Sequence, residues 1–149
     1  MLGSWFIVRY RFGNAGIQGG HNLLTAELAA RDIAQALRRD DELWAFKTVL
    51  QSRDHVRVLL ASKPGKLDGF EADPPPTGSI EWDAFLATVI NHEFQVHGLP
   101  APKWSQVPAL AADWVLDNPR WDEAEIRDRT PGWLAERRIF VAVNDLITL

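Results

Sequence analysis

SIEWDAFLATVINHEFQVHG, residues 79–98, is the stretch that decides the fold. Its large apolar residues recur at helical spacing and share one face: Trp82, Phe85, Leu86, Val89 and Ile90. Ser79 is a favourable N-cap residue, and Gly98 is a typical residue at the end of a helix. The stretch therefore predicts a helix from residue 79 or 80 to about residue 97, with its apolar stripe in the core.

Further helices are expected on the N-terminal side of this stretch. Thr25 predicts the cap of a helix over 25–38 that carries Leu28 on its apolar face. Asp41 predicts the cap of a second helix over 41–52, with Leu43 facing inward. A third, shorter helix is expected to begin at Asp54.

The C-terminal side predicts shorter elements. A helix is expected to begin at residue 105 or 106 and to continue through Trp114 and Val115. Thr130 and Pro131 predict the cap and first turn of a last helix. Residues 139–143 alternate as a half-buried strand does, and we expect them to pair with the alternating segment 5–12.

The predicted fold class is mainly α, a compact helical domain with two short strands near the ends of the chain. Its 149 residues are most simply one domain, 1–149. Residues 1–22 form a strand-like extension and a glycine-rich loop, and residues 63–79 form a Pro/Gly-rich connector between helical halves.

Composition excludes several classes of protein. The net charge of −4 argues against a nucleic-acid binder, whose usual feature is a basic face. The chain has no cysteine, so it holds no disulfide or thiolate metal site. Residues 1–12 lack the features of a signal peptide, and no apolar run is long enough to span a membrane. We therefore expect a cytoplasmic protein.

The motifs that carry enzymatic chemistry are incomplete in this sequence. His92 and His97 are five residues apart, whereas two zinc ligands on one helix face require a spacing of four. The glycines of 13–20 fit neither phosphate-binding pattern, and no serine has a nucleophile-elbow context. We predict no catalytic residue, no metal and no cofactor, and hence no enzyme.

Tryptophan and arginine are concentrated towards the C-terminus. Four of the seven tryptophans lie within residues 104–133, among several arginines. Tryptophan and arginine dominate the energetics of protein interfaces, although tryptophan also fills small helical cores. The predicted partner-binding residues are Trp104, Trp114, Trp133, Arg137 and Arg138.

The order of motifs resembles a family of small actinobacterial antitoxin-like proteins. The resemblance covers residues 24–149 and is carried by PPPTGSIEWDAFLATVINHE (74–93), HGLPAPKW (97–104), a tryptophan near 114, and TPGWLAERRIFVAVNDL (130–146). Members of the family are encoded beside a nucleotidyltransferase-type protein, as an antitoxin is beside its toxin. The resemblance implies a protein that binds and neutralises a cognate toxin.

The sequence departs from the family pattern at three places, one of which is residues 1–22, for which the family has no counterpart. The family has Pro-Trp and a following aromatic residue where this chain has Asp113, Trp114 and Val115. The family also has glycine between the arginine pair and the IFV run, whereas here Arg138 is followed directly by Ile139.

Three functional hypotheses follow, of which the third is an enzyme of unknown type, which a deep pocket of converging ionisable groups would support. The first is a non-enzymatic bacterial antitoxin that binds its toxin. The alternative is a DNA-binding transcriptional regulator that uses helices 25–52, with Arg38, Arg39, Lys47, Arg53 and Arg57 as contacts. Acidic and basic residues balance six to six between residues 25 and 57, which favours the first hypothesis.

Overall fold

The structure is a computed structural model that describes residues 24–62 and 69–142. The segment 5–12, the glycine-rich loop, part of the connector and the end of the last predicted strand lie outside the described residues. The elements, in chain order, are α1 (Ala26–Arg38), α2 (Glu42–Ser62), α3 (Ile80–Val96), a 3-10 turn (Lys103–Ser105), β1 (Trp114–Val115), α4 (Glu123–Arg129), α5 (Gly132–Ala135) and β2 (Ile139–Phe140). The predicted mainly helical class is confirmed.

The chain divides after Gln106 into two compact units, where we expected one domain. The first unit contains α1, α2, α3 and the 3-10 turn, so helices on both sides of the 63–79 connector belong to it. The second unit contains the shorter helices and the strand pair. None of the helices described is long and apolar enough to cross a membrane.

Helix α1 begins where its cap was predicted, because the Thr25 side chain accepts a hydrogen bond from the Leu28 backbone at 3.2 Å. The buried face of α1 consists mainly of alanines around Ile33. The assignment of Leu28 to that face was wrong, since its side chain is half exposed. Small alanine side chains allow α1 to approach α2 closely, which leaves Leu28 on the outer face.

Helix α2 is continuous, so the prediction of two helices with a break at Asp54 was wrong. Asp41 caps its start by accepting from the Trp44 backbone at 3.0 Å. No glycine or proline interrupts the helix, and the Asp54 carboxylate pairs with Arg53 instead of capping a new helix. Leu43, which was expected to face inward, is also about half exposed.

Helix α3 is the core helix of the first unit, as predicted. The Ser79 side chain caps it by accepting from the Trp82 backbone at 3.2 Å, and Gly98 follows its end with a positive φ of 70°. Phe85 stacks with Phe46 of α2 at a centroid distance of 6.1 Å. All five residues of the predicted apolar stripe are buried.

The expected helix through Trp114 and Val115 was wrong. Only Lys103–Ser105 is helical, as a 3-10 turn, while Trp114–Val115 is a strand parallel to Ile139–Phe140. The backbone amides of Leu110 and Trp114 donate to the carbonyls of Arg137 and Arg138, at 3.0 and 2.8 Å. These hydrogen bonds, distant in sequence, replace the bonds that a local helix would make.

The start of the last helix also differs from the prediction. Thr130 ends α4, where its hydroxyl donates to the Ile126 carbonyl at 2.7 Å. Pro131 precedes α5 and supplies no side-chain cap. The strand prediction at 139–143 is confirmed for Ile139–Phe140, although its partner in the structure is β1.

Candidate functional site

The second unit has a small framework that fixes the position of its arginines and aromatic residues. Helix α4 begins with a capping box, in which Asp122 and Glu125 bond each other's backbone amides. Strands β1 and β2 pair in parallel, with Trp114 opposite Ile139. Two strands of two residues contribute little stability by themselves, so side-chain contacts must hold this unit together.

Asp113 is the centre of those contacts. Its two carboxylate oxygens accept from Arg127 at 2.9 Å and from Arg138 at 3.1 Å. Arg127 also pairs with Glu123 at 3.0 Å and lies over the Phe140 ring at 4.5 Å. The hydrogen bonds that Arg127 donates to Asp113 and then to Glu123 raise the pKa of Arg127, so this guanidinium remains charged. Asp113 thus connects α4 to the turn that precedes β2.

Arg138 has a backbone conformation that glycine favours, with a φ of 64°. Its guanidinium donates to the Ala111 carbonyl at 2.6 Å in addition to its ion pair with Asp113. Although the Arg138 side chain is about half exposed, these two contacts bind it within its own unit. Arg138 therefore has a structural role besides the predicted role in partner binding.

A second group of side chains gathers at Trp121. The guanidinium of Arg129 lies 3.7 Å from the centroid of the Trp121 ring, and that of Arg120 lies at 5.2 Å. The turn that presents them is fixed because Asn118 accepts from the Arg120 amide at 2.9 Å and from the Trp121 amide at 3.2 Å. We call Arg120, Trp121 and Arg129 the Trp121 stack.

The arginines of the Trp121 stack differ from Arg127 and Arg138 in their charge pairing. Within residues 24–62 and 69–142, neither Arg120 nor Arg129 has a carboxylate at ion-pair distance. Of the nearby acids, Asp113 and Glu123 bind Arg127, and neither Asp117 nor Asp128 pairs with an arginine of the stack among the described residues. The stack therefore presents two positive charges on one indole, without internal neutralisation by the described part of the chain.

Four of the five predicted site residues lie in the second unit. Trp114 is in β1, Trp133 is in α5, and Arg137 and Arg138 are in the turn that precedes β2. Three of the four are half-buried: Trp114, Trp133 and Arg137. The backbone carbonyl of Arg137 accepts a hydrogen bond from the Leu110 amide. These four residues thus share one compact unit built around the strand pair.

The fifth predicted residue, Trp104, lies in the first unit. Its indole Nε1 donates to the Phe70 carbonyl at 2.8 Å, which ties the 3-10 turn to the connector. Ser105 next to it accepts from buried Asn91 of α3 at 3.2 Å. The geometry gives Trp104 a role in holding the first unit together.

The five basic residues predicted as DNA contacts have several roles in the structure. Arg38 and Arg39 are exposed. Lys47 lies over the Trp44 ring at 5.5 Å, and Arg57 binds Glu93 at 2.9 Å. Arg53 is only 3 % exposed, and this burial lowers its pKa, an effect that neighbouring Asp54 partly offsets. Two of the five predicted DNA contacts, Arg38 and Arg39, are therefore exposed in this structure.

The sequence analysis did not single out Asp113, Arg120, Trp121 and Arg129 as a site. Trp121 lies two residues before α4 and Arg129 is the last residue of that helix, yet the Arg129 side chain lies over the Trp121 ring. The sequence does show arginines close to a tryptophan in residues 120–129. This pattern does not reveal that the arginines contact the indole unless the turn at Asn118 is known.

Within residues 24–62 and 69–142, no three His, Cys, Asp or Glu side chains lie together so that they could hold a metal ion. Comparison of the chain with protein-family models, with curated proteins and with solved structures gives no match.

Proposed function

We propose that this chain is a non-enzymatic, antitoxin-like protein that binds and neutralises a toxin of nucleotidyltransferase type, encoded beside it, in the bacterial cytoplasm. The observation that carries the proposal is the Trp121 stack, in which two guanidiniums on one indole have no carboxylate partner among the described residues. The order of motifs in residues 74–146 supports the choice of partner.

The stack has the properties of a binding hot spot. Arginine and tryptophan supply most of the binding energy in protein interfaces. A guanidinium already held against an indole loses less conformational freedom when a partner binds it, so more of the contact energy becomes affinity. Trp114 and Trp133, half-buried in the same unit, add apolar area that a partner can cover.

The charge of the chain suggests how neutralisation proceeds. A nucleotidyltransferase binds a nucleoside triphosphate, and such a site is basic. An acidic protein with a net charge of −4 is attracted to a basic site and competes there with the nucleotide. In this mechanism the second unit anchors the chain on the toxin while acidic residues of the chain face the nucleotide site.

Co-expression with the neighbouring reading frame tests the proposal. The neighbour should arrest growth when expressed alone, and the wild-type chain should restore growth and co-purify with it. The double variant Arg120→Gln/Arg129→Gln should lose both effects, whereas the matched double variant Arg38→Gln/Arg39→Gln should retain them. A neighbour that is not toxic, or that does not co-purify with the wild-type chain, contradicts the proposal.

The same variants distinguish the antitoxin proposal from the DNA-binding alternative. A regulator would retard its own promoter fragment in a salt-dependent manner, and Arg38→Gln/Arg39→Gln would abolish that shift. The antitoxin proposal expects no dependence of toxin binding on Arg38 and Arg39.

A further inference from the structure

We infer that the Trp121 stack recognises carboxylates, and that the segment of the partner that docks on it is an acidic stretch of polypeptide. The identity of the partner rests on the proposed function, whereas the carboxylate-binding chemistry of the site does not. Its basis is the juxtaposition of Arg120 and Arg129 over one indole, at 5.2 and 3.7 Å, outside the ion-pair network of Asp113.

The geometry of the stack prepares its guanidiniums for an anion. The N–H groups of a guanidinium lie in its plane, where they donate to carboxylate oxygens in pairs, and contact with an indole leaves these in-plane donors available. The Trp121 indole Nε1 is itself buried and has no hydrogen-bond partner among the described residues. The indole therefore serves as an apolar support, and the arginines carry the recognition.

Local acids do not neutralise the two arginines. Asp122 and Glu125 are occupied in the capping box of α4, and Glu123 is held by Arg127. Arg120 and Arg129 thus remain available to an external carboxylate. Arg137 also has no ion pair in the described part of the chain.

The surrounding charge favours an acidic peptide over a nucleic acid. Residues 107–142 carry seven acidic and five basic side chains, so the unit as a whole repels a continuous polyanion. A short acidic peptide can place one or two carboxylates on the stack without bringing a long row of phosphates near those acids. Nucleic-acid binders instead show a basic face.

The test uses the full chain and two synthetic peptides, one of alternating glutamate and glycine and one with glutamine in place of glutamate. The readout is the indole N–H signal of Trp121 in a nitrogen–proton correlation spectrum, assigned with Trp121→Phe. The glutamate peptide should shift this signal, with an apparent affinity that falls about tenfold or more as salt rises. The glutamine peptide should leave it in place.

Matched variants complete the test. Arg120→Gln/Arg129→Gln should abolish the shift, and Arg38→Gln/Arg39→Gln should preserve it. The inference is overturned if the glutamate peptide leaves the Trp121 signal unchanged, or if a single-stranded oligonucleotide shifts it at lower concentration than the peptide does. If the peptide does not bind but the chain still binds the toxin, this inference is wrong and the toxin binds another surface of the chain. If the peptide binds but the chain does not bind the toxin, only the proposed function is contradicted.

Discussion

Arg57 of α2 donates to both carboxylate oxygens of Glu93 on α3, from Nε at 2.9 Å and from Nη2 at 3.1 Å. The Glu93 side chain is 6 % exposed and that of Arg57 is 42 % exposed, so the two partners differ strongly in their access to water. This bidentate pair joins the two longest helices of the first unit across a buried carboxylate.

The difference in exposure predicts an asymmetric effect of mutation. Arg57→Gln leaves the Glu93 charge buried without its main partner and should lower the free energy of unfolding by about 3 kcal/mol. Glu93→Gln leaves a guanidinium that can reach water and should cost less. Urea denaturation measures both, and Arg31→Gln, in an exposed pair with Glu27, should change stability by less than about 0.5 kcal/mol. Equal losses for the two variants would contradict this explanation.

His92, next to Glu93, predicts a dependence of stability on pH. Burial lowers the pKa of His92 below its usual 6.5; nearby Glu93 opposes this shift and Arg57 adds to it. Because the unfolded chain then binds a proton more readily, stability is fully present above the unfolded pKa and is lost as pH falls through it. The urea concentration at the unfolding midpoint of the wild-type chain should decrease as the pH is lowered from about 8 to about 5.5. His92→Gln should show a smaller fall, and an equal fall in both proteins would exclude His92 as its source.

Gly69 packs against the cap of α1. Its φ is +82°, and a Cβ at this position would lie 2.5 Å from the Thr25 methyl group. Gly78 has a φ of +96° with open space around it, so Gly78→Ala should cost only the backbone strain, about 1–2 kcal/mol. Gly69→Ala should cost about 1–3 kcal/mol more because of the overlap.

Thr25→Ser provides the control for the Gly69 prediction, because it removes the methyl group and keeps the hydroxyl that caps α1. In urea denaturation, Gly69→Ala should be less destabilising in the Thr25→Ser background than in the wild-type background. If the cost of Gly69→Ala is the same in both backgrounds, the overlap with Thr25 is not its cause.

Asp113→Asn should loosen the second unit without unfolding the first. Both Arg127 and Arg138 lose their shared carboxylate, while the core of the first unit contains neither residue. Amide exchange should accelerate at Leu110 and Trp114, whose amides bond to the Arg137–Arg138 turn, and remain unchanged at Ile90. Glu136→Gln, at an exposed acid of the same unit, is the matched control and should leave exchange at Leu110 and Trp114 unchanged.

Local signals explain why the first unit was largely predictable. Thr25, Asp41 and Ser79 cap their helices through backbone amides three residues away, and such caps are visible in the sequence. The exposed Leu28 and Leu43 were assigned inward because the apolar period does not distinguish a face built of alanines from one built of leucines.

The second unit was less predictable because distant contacts determine it. The strand at Trp114 exists through hydrogen bonds to Arg138, 24 residues later in the chain, and a window of local sequence contains no trace of that pairing. Sequence analysis selected this segment from its tryptophans and arginines. It did not distinguish Arg138, which is bound to Asp113, from Arg120 and Arg129, which lie over Trp121.

The affinity of the full chain for the neighbouring toxin, measured by calorimetry with the wild-type chain and with Arg120→Gln/Arg129→Gln, tests the central claim most directly. The loss of two arginine anchors should weaken binding by at least about tenfold, while Arg38→Gln/Arg39→Gln should bind as the wild-type chain does. Equal affinity of all three proteins for the toxin would contradict the assignment of the Trp121 stack as its binding site.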